Sequence, residues 1–107
     1  MSKQAGIGGM MKQAQRLQQQ IGKLQEELND REFSASAGGG VVVAVVNGKQ
    51  QLLRITIAKE VVDPNDVDSL QDLVTIAINQ ALESSQSIVE AEVGKLTGGL
   101  NLGGLFG

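Results

Sequence analysis

Residues 41–58 read VVVAVVNGKQQLLRITIA, and their pattern decides the fold. Val41 to Val46 is a β-branched run that is apolar on both faces of a strand. Asn47-Gly48 separates it from Lys49 to Ala58, where Leu53, Ile55 and Ile57 alternate with Arg54 and Thr56. Alternation at period two gives one buried and one wet face. Asn-Gly between two strand-like runs is a strong hairpin signal, because a type I′ turn needs positive φ at both central residues. The spacing predicts a hairpin turning at Asn47-Gly48. The first of its strands needs cover on both sides, and in so small a chain one cover is expected from a second subunit.

Upstream, Glu32 to Ala37 (EFSASA) alternates small residues and ends at Gly38-Gly39-Gly40, which predicts a third strand and a three-stranded antiparallel sheet. Before it, Ile7, Met10, Ala14, Leu17, Ile21, Leu24 and Leu28 recur in steps of 3 and 4, a heptad seam embedded in a Gln-rich background. The expected helix runs from about Gly9 to Asp30 and is roughly 33 Å long. That is as long as a compact chain of this size is wide, so the helix cannot bury its whole seam within its own domain. Downstream, Asp63-Pro64-Asn65-Asp66 is read as the start of a last helix, with Asp63 as N-cap and Pro64 in the first turn. Its apolar positions keep helical spacing from Val67 to Ile88, and its end is expected near Leu96. The chain is thus read as an α+β domain over residues 1–96 in the order α-β-β-β-α, followed by a Gly/Leu-rich flexible tail over 97–107.

Composition removes whole classes of chemistry. Among 107 residues there is no His, Cys, Trp or Tyr. Ser-His-Asp and Cys-His catalysis, Cys/His zinc sites, thiol redox chemistry and disulfides therefore have no side chains to run on. No G-x-G-x-x-G follows a strand, so no nucleotide site is assigned, and no cofactor or small-molecule ligand is expected. The acidic cluster Asp63, Asp66, Asp68 and Asp72 lacks the order of a calcium loop and is explained by helix capping and a solvated face, so no metal site is assigned. No stretch reaches the roughly 20 apolar residues of a membrane span, and the N-terminus lacks a signal-peptide core, so a cytoplasmic location is expected.

Net charge is −3, but it is segregated. Residues 1–25 hold Lys3, Lys12, Arg16 and Lys23 and no acid, whereas residues 60–92 hold eight acids and no base. At about 100° per residue, Lys12, Arg16 and Lys23 share one face of the first helix with Gln19, about opposite the seam. Bases toward the N-terminus and acids toward the C-terminus oppose the macrodipole, and no acid stands at i±3 or i±4 from Lys12 or Arg16. Such a stripe is either a solvated face or a phosphate-contacting one. In a symmetric dimer it would present six bases, or eight with Lys3, and its contacts would be with duplex DNA through backbone and shape, because no aromatic is present to stack bases. The competing reading is a dimeric protein-interaction adaptor that docks a partner on its acidic last helix and apolar tail.

The order of parts resembles a known family. GGMMKQAQRLQQQIGKLQEEL leads to FSASAGGGVVVAVVNGKQQLLRITI, then to a helix carrying LQDLVTIAINQALESSQ, then to the Gly/Leu tail. This is similar to the YbaB/EbfC family of bacterial nucleoid-associated DNA-binding proteins. The resemblance implies a non-enzymatic homodimer located at the nucleoid, with sheets forming the dimer core and long helices projecting like tweezer arms around duplex DNA. By position and charge, only Lys12, Arg16 and Lys23 of the first helix match the DNA-contacting role; Lys3 is counted with them as a further DNA-binding candidate. Val41, Val43, Val45, Leu53 and Ile55 are the expected dimer contacts. One departure from the family stands out. The connection from Ile57 to Asp63-Pro64 is longer than the usual one.

Overall fold

The computed structural model describes residues 2–98, with side chains from Gly8 onward. Helix α1 (Ser2–Asp30) leads into strands β1 (Glu32–Ala37), β2 (Val42–Asn47) and β3 (Leu52–Ile57). A 3-10 turn (Lys59–Val61) and helix α2 (Val67–Thr97) follow. The sheet is antiparallel throughout, in the order β1-β2-β3. The order and fold class are those expected.

Pairing of Phe33 with Val46, Ala35 with Ala44 and Ala37 with Val42 puts the apolar half of β1 and β2 on one face. Helix α2 packs across that face. It can do so closely because it presents Ala77, Ala81 and Ser85 at i, i+4 and i+8, and all three are fully buried. Beneath them Val42, Ala44 and Val46 are also fully buried, with Phe33 and Ala37 nearly so. Each such valine removed from water contributes on the order of 1.5–3 kcal/mol. Strand β3 lies largely outside the footprint of α2, so Leu52, Leu53 and Ile57 stay exposed.

The two helices leave the sheet together. Leu28 at the end of α1 is buried, and further out Leu24 lies with Gln20, Lys23 and Glu27 against Leu96 of α2. The N-terminal half of α1 runs on beyond α2. The molecule spans 78 × 27 × 16 Å, with a radius of gyration of 20.9 Å against about 13 Å for a compact chain of this length.

Three local expectations are corrected. The hairpin turn is not a two-residue type I′ turn. Neither Asn47 nor Gly48 has positive φ; Gln50 does, at 66°. The Asn47 carbonyl accepts from the Gln50 N–H, and the Asn47 side-chain oxygen accepts from the N–H groups of Lys49 and Gln51. This is a type I turn closed by a left-handed residue, giving a three-residue loop, so β3 begins at Leu52 rather than Lys49. Secondly, α2 is capped by Asp66, whose carboxylate accepts from the Ser69 N–H, and not by Asp63. Asp63 instead closes an Asx turn by accepting from the Asn65 N–H. Pro64 thus sits in that turn, ahead of the helix. The long connection noted in the sequence is taken up by the 3-10 turn at Lys59–Val61. Thirdly, α1 extends back to Ser2, well before Gly9.

Candidate nucleic-acid interface

Helix α1 projects because its residues demand little burial. From Gly8 to Gln20 every described side chain is exposed except Leu17, which is half-buried. Lys12, Arg16 and Lys23 all stand in solvent on the stripe opposite the seam. Arg16 and Lys23 line one shallow recess together with Gln19 and Gln20, and Lys12 lies one turn further out along the arm. Lys3 belongs to α1 by its backbone, but its side chain falls outside the described residues.

Electrostatics decide what this stripe can do. The described ion pairs are Arg54 with Glu32 at 2.7 Å and Lys95 with Glu92 at 3.4 Å. Among the described residues, no carboxylate approaches Lys12, Arg16 or Lys23 within bonding distance. Glu26 and Glu27 stand at i+3 and i+4 from Lys23, and Glu27 lines a recess with it, whereas Lys12 and Arg16 have no acid within one turn of α1. Lys12 and Arg16, held apart from counter-charges, with Lys23 on the same face at its inner end, form a surface for a polyanion. Lys95, the one base of α2, is already engaged by Glu92.

The expected dimer contacts are split by the structure. Val43 and Val45 point to the sheet face away from α2, where they line a recess of about 380 Å³ with Glu32, Ser34, Arg54 and Thr56. Val41 and Ile55 instead pack against the chain's own core. Leu53 is the extra residue of a bulge, because Val45 pairs with Arg54 and Val46 with Leu52.

One feature of this face was not anticipated from the sequence. The Arg54 guanidinium donates two hydrogen bonds to the Glu32 carboxylate, at 2.7 and 3.3 Å, reaching across β2 between the two edge strands. The hydrogen bonds first, and the charge of Arg54 second, hold the Glu32 carboxyl below its ordinary range and raise the Arg54 guanidinium. The signal was available in the strand register, which puts both residues on the face of Val45.

Among the described residues no helix is long and apolar enough to cross a membrane, and no group of acids is placed to hold a metal ion.

A cationic arm carried on a small sheet, with its counter-charges segregated elsewhere, is the outline of a nucleic-acid-binding protein. Residues 3–100 match the YbaB/EbfC DNA-binding family, and the chain belongs to that family, whose members are DNA-binding proteins and not enzymes. It is 53% identical over 100 residues to a nucleoid-associated protein of Clostridium novyi, covering 94% of this chain and 88% of the relative. To a nucleoid-associated protein of Desulforamulus reducens it is 57% identical over 97 residues, covering 91% of this chain and 92% of the relative. The fold is shared with an uncharacterized protein of Helicobacter pylori, with a TM-score of 0.67 at 19% identity over 84% of this chain and 91% of that one.

Proposed function

We propose that this protein acts at the bacterial nucleoid as a homodimer that holds duplex DNA between its α1 arms through phosphate and shape contacts, with weak sequence preference. The observation that carries the reading is the unpaired state of Lys12, Arg16 and Lys23 on an arm that reaches beyond the rest of the fold. Phosphate contacts position a protein on DNA without reading sequence. Without an aromatic on the stripe, unstacked bases have no platform. Relatives above half identity are named as nucleoid-associated proteins, which supports the same location. Lys3 adds a further positive charge near the outer end of α1, about half a turn round the helix from the stripe by its backbone position.

A second copy of the chain supports the geometry twice over. It would double three cations to six, and it would cover the half-buried Val43 on the open sheet face and the exposed Leu52 and Ile57 of the edge strand. Organisation of the chromosome or modulation of transcription follows from duplex binding of this kind.

Gel-shift titration of a duplex with the wild type and with a Lys12→Ala/Arg16→Ala/Lys23→Ala variant tests the reading, with sedimentation of both at micromolar concentration. The expected result is about twice the chain mass for both proteins and a large loss of retardation for the variant alone. Equal retardation by the two proteins would remove the stripe as the site and leave the adaptor reading in its place. A monomeric wild type would remove the dimer.

A further inference from the structure

The seam of α1 is only half covered. At its inner end Leu28 is buried and Leu24 meets Leu96 of α2. Further out, Met10, Ala14 and Leu17, with the stems of Gln13 and Gln18, line an apolar groove of about 420 Å³, and Met10 is 71% exposed. Uncovered apolar surface of this kind on a narrow arm calls for an occupant.

The position where α2 stops identifies one. The two helices run antiparallel along their shared length, so α2 travels outward beside α1 and ends at Thr97, beside the turn of α1 that holds Gln20 and Leu24. The described chain thus stops near the inner mouth of the groove. The sequence beyond Gly98 is GLNLGGLFG, nine residues carrying Leu100, Leu102, Leu105 and Phe106 and no charge. Nine residues reach at most about 30 Å, whereas Leu17 to Met10 is only about 10 Å of helix. The glycines between the leucines allow the backbone to lie close against a helix surface.

We infer that residues 99–107 dock along the outer half of the α1 seam, with Leu102, Leu105 and Phe106 covering Leu17, Ala14 and Met10 of the same chain. A tethered segment of this length is present at an effective concentration of the order of millimolar, which favours it over a second copy at micromolar concentration. The inference goes beyond the DNA-binding reading and does not rest on it. The basic stripe lies about opposite the seam, so the tail and a duplex would use different faces of α1.

The composition supplies the probe. The chain has three methionines and two phenylalanines, and Phe33 is buried beneath α2. In the full chain with 13C-labelled methionine methyls, a nuclear Overhauser effect from the Met10 methyl to an aromatic ring can only report Phe106. The expected result is that effect, together with a Met10 methyl shift that returns to its unstructured value in a Leu102→Ser/Leu105→Ser/Phe106→Ser variant whose Phe33 and Val46 signals are unchanged. Samples mixed from methionine-labelled and phenylalanine-labelled chains separate the sources. The effect should be absent from them. A Met10 methyl at its unstructured shift in the wild type, with no aromatic contact, would overturn the inference. So would an effect that appears in the mixed samples, because the occupant would then be another copy. Addition of duplex DNA should leave the Met10 signal in place; its loss would show that the groove belongs to the DNA.

Discussion

The backbone of Gly48 lies against the carbonyl of Leu28, so closely that a Cβ on residue 48 would overlap the Leu28 carbonyl carbon and oxygen. This contact joins the β2–β3 turn to the last turn of α1. It sets where the arm leaves the sheet, since Leu28 is the one buried residue of α1 among those described. Gly48 is therefore required for its missing side chain and not for its φ. Gly48→Ala is expected to cost about 1–3 kcal/mol by forcing the two backbones apart. At roughly 4–8 °C per kcal/mol for a domain of this size, thermal unfolding should shift clearly downward. Lys49→Ala, one position on and exposed, should be near neutral. Comparable melting curves for the two variants would show that the contact does not constrain the arm.

The same turn is tied to α2 from the other side. Buried Ser85 donates its hydroxyl hydrogen to the Asn47 carbonyl and accepts from the side-chain amide of Gln50, both at 3.0 Å. Ser85→Ala removes both bonds, but the Asn47 carbonyl keeps the Gln50 N–H and the exposed Gln50 amide can turn to water, so the expected cost is about 0.5–1.5 kcal/mol. Gln50→Ala removes only the exposed partner and should cost less. A double-mutant cycle between positions 50 and 85, followed by chemical denaturation, measures the link directly. Strictly additive effects would mean that the two side chains act independently.

These two contacts explain what could be read in the sequence and what could not. The bounds of β1, Glu32–Ala37, follow from alternation and the glycines after it, both local signals. The element order and the apolar face of α2 are also written in periodicity. The turn at Asn47-Gly48 misleads because Asn-Gly is the signature of a two-residue loop. Its geometry is selected instead by partners far away in sequence, Leu28 on one side and Ser85 on the other. The start of α2 misleads for a related reason. Asp63 and Asp66 are both competent caps, and only the Asx turn at Asp63 shows which of them the helix uses. The basic stripe was legible because spacing alone places Lys12, Arg16 and Lys23 on one face. Their freedom from carboxylate partners depends on the whole fold and was not.

The Glu32–Arg54 pair makes a prediction about pH. The folded chain holds the Glu32 carboxyl below its ordinary value of 4.5, so the pair stabilises the fold above that pH. The contribution is lost as pH falls through the depressed folded value. Glu32→Gln should therefore be less stable than wild type near neutral pH, with the difference shrinking below about pH 4.5 and closing at lower pH. Both side chains are about half exposed, so the difference should be small and should weaken with salt. Denaturation midpoints across the pH range at two salt concentrations test this. A difference that is unchanged on acidification would assign the effect to something other than ionisation.

Salt dependence gives the last and most quantitative test of the arm. Each phosphate neutralised on duplex DNA contributes a slope of about −0.9 in log affinity against log salt. A dimer using Lys12, Arg16 and Lys23 from both copies contacts about six phosphates, so the expected slope is about −5. Because each substitution acts twice in a homodimer, replacing any one of the three by Ala should flatten the slope by about 2 units. Lys95→Ala should leave it unchanged, since that ammonium already has Glu92 at 3.4 Å. Affinity measured at four or more salt concentrations separates these cases. If Lys95→Ala flattens the slope as much as Arg16→Ala does, the DNA is held by the ends of both helices rather than by the α1 stripe, and segregation of charge along α1 does not direct the binding.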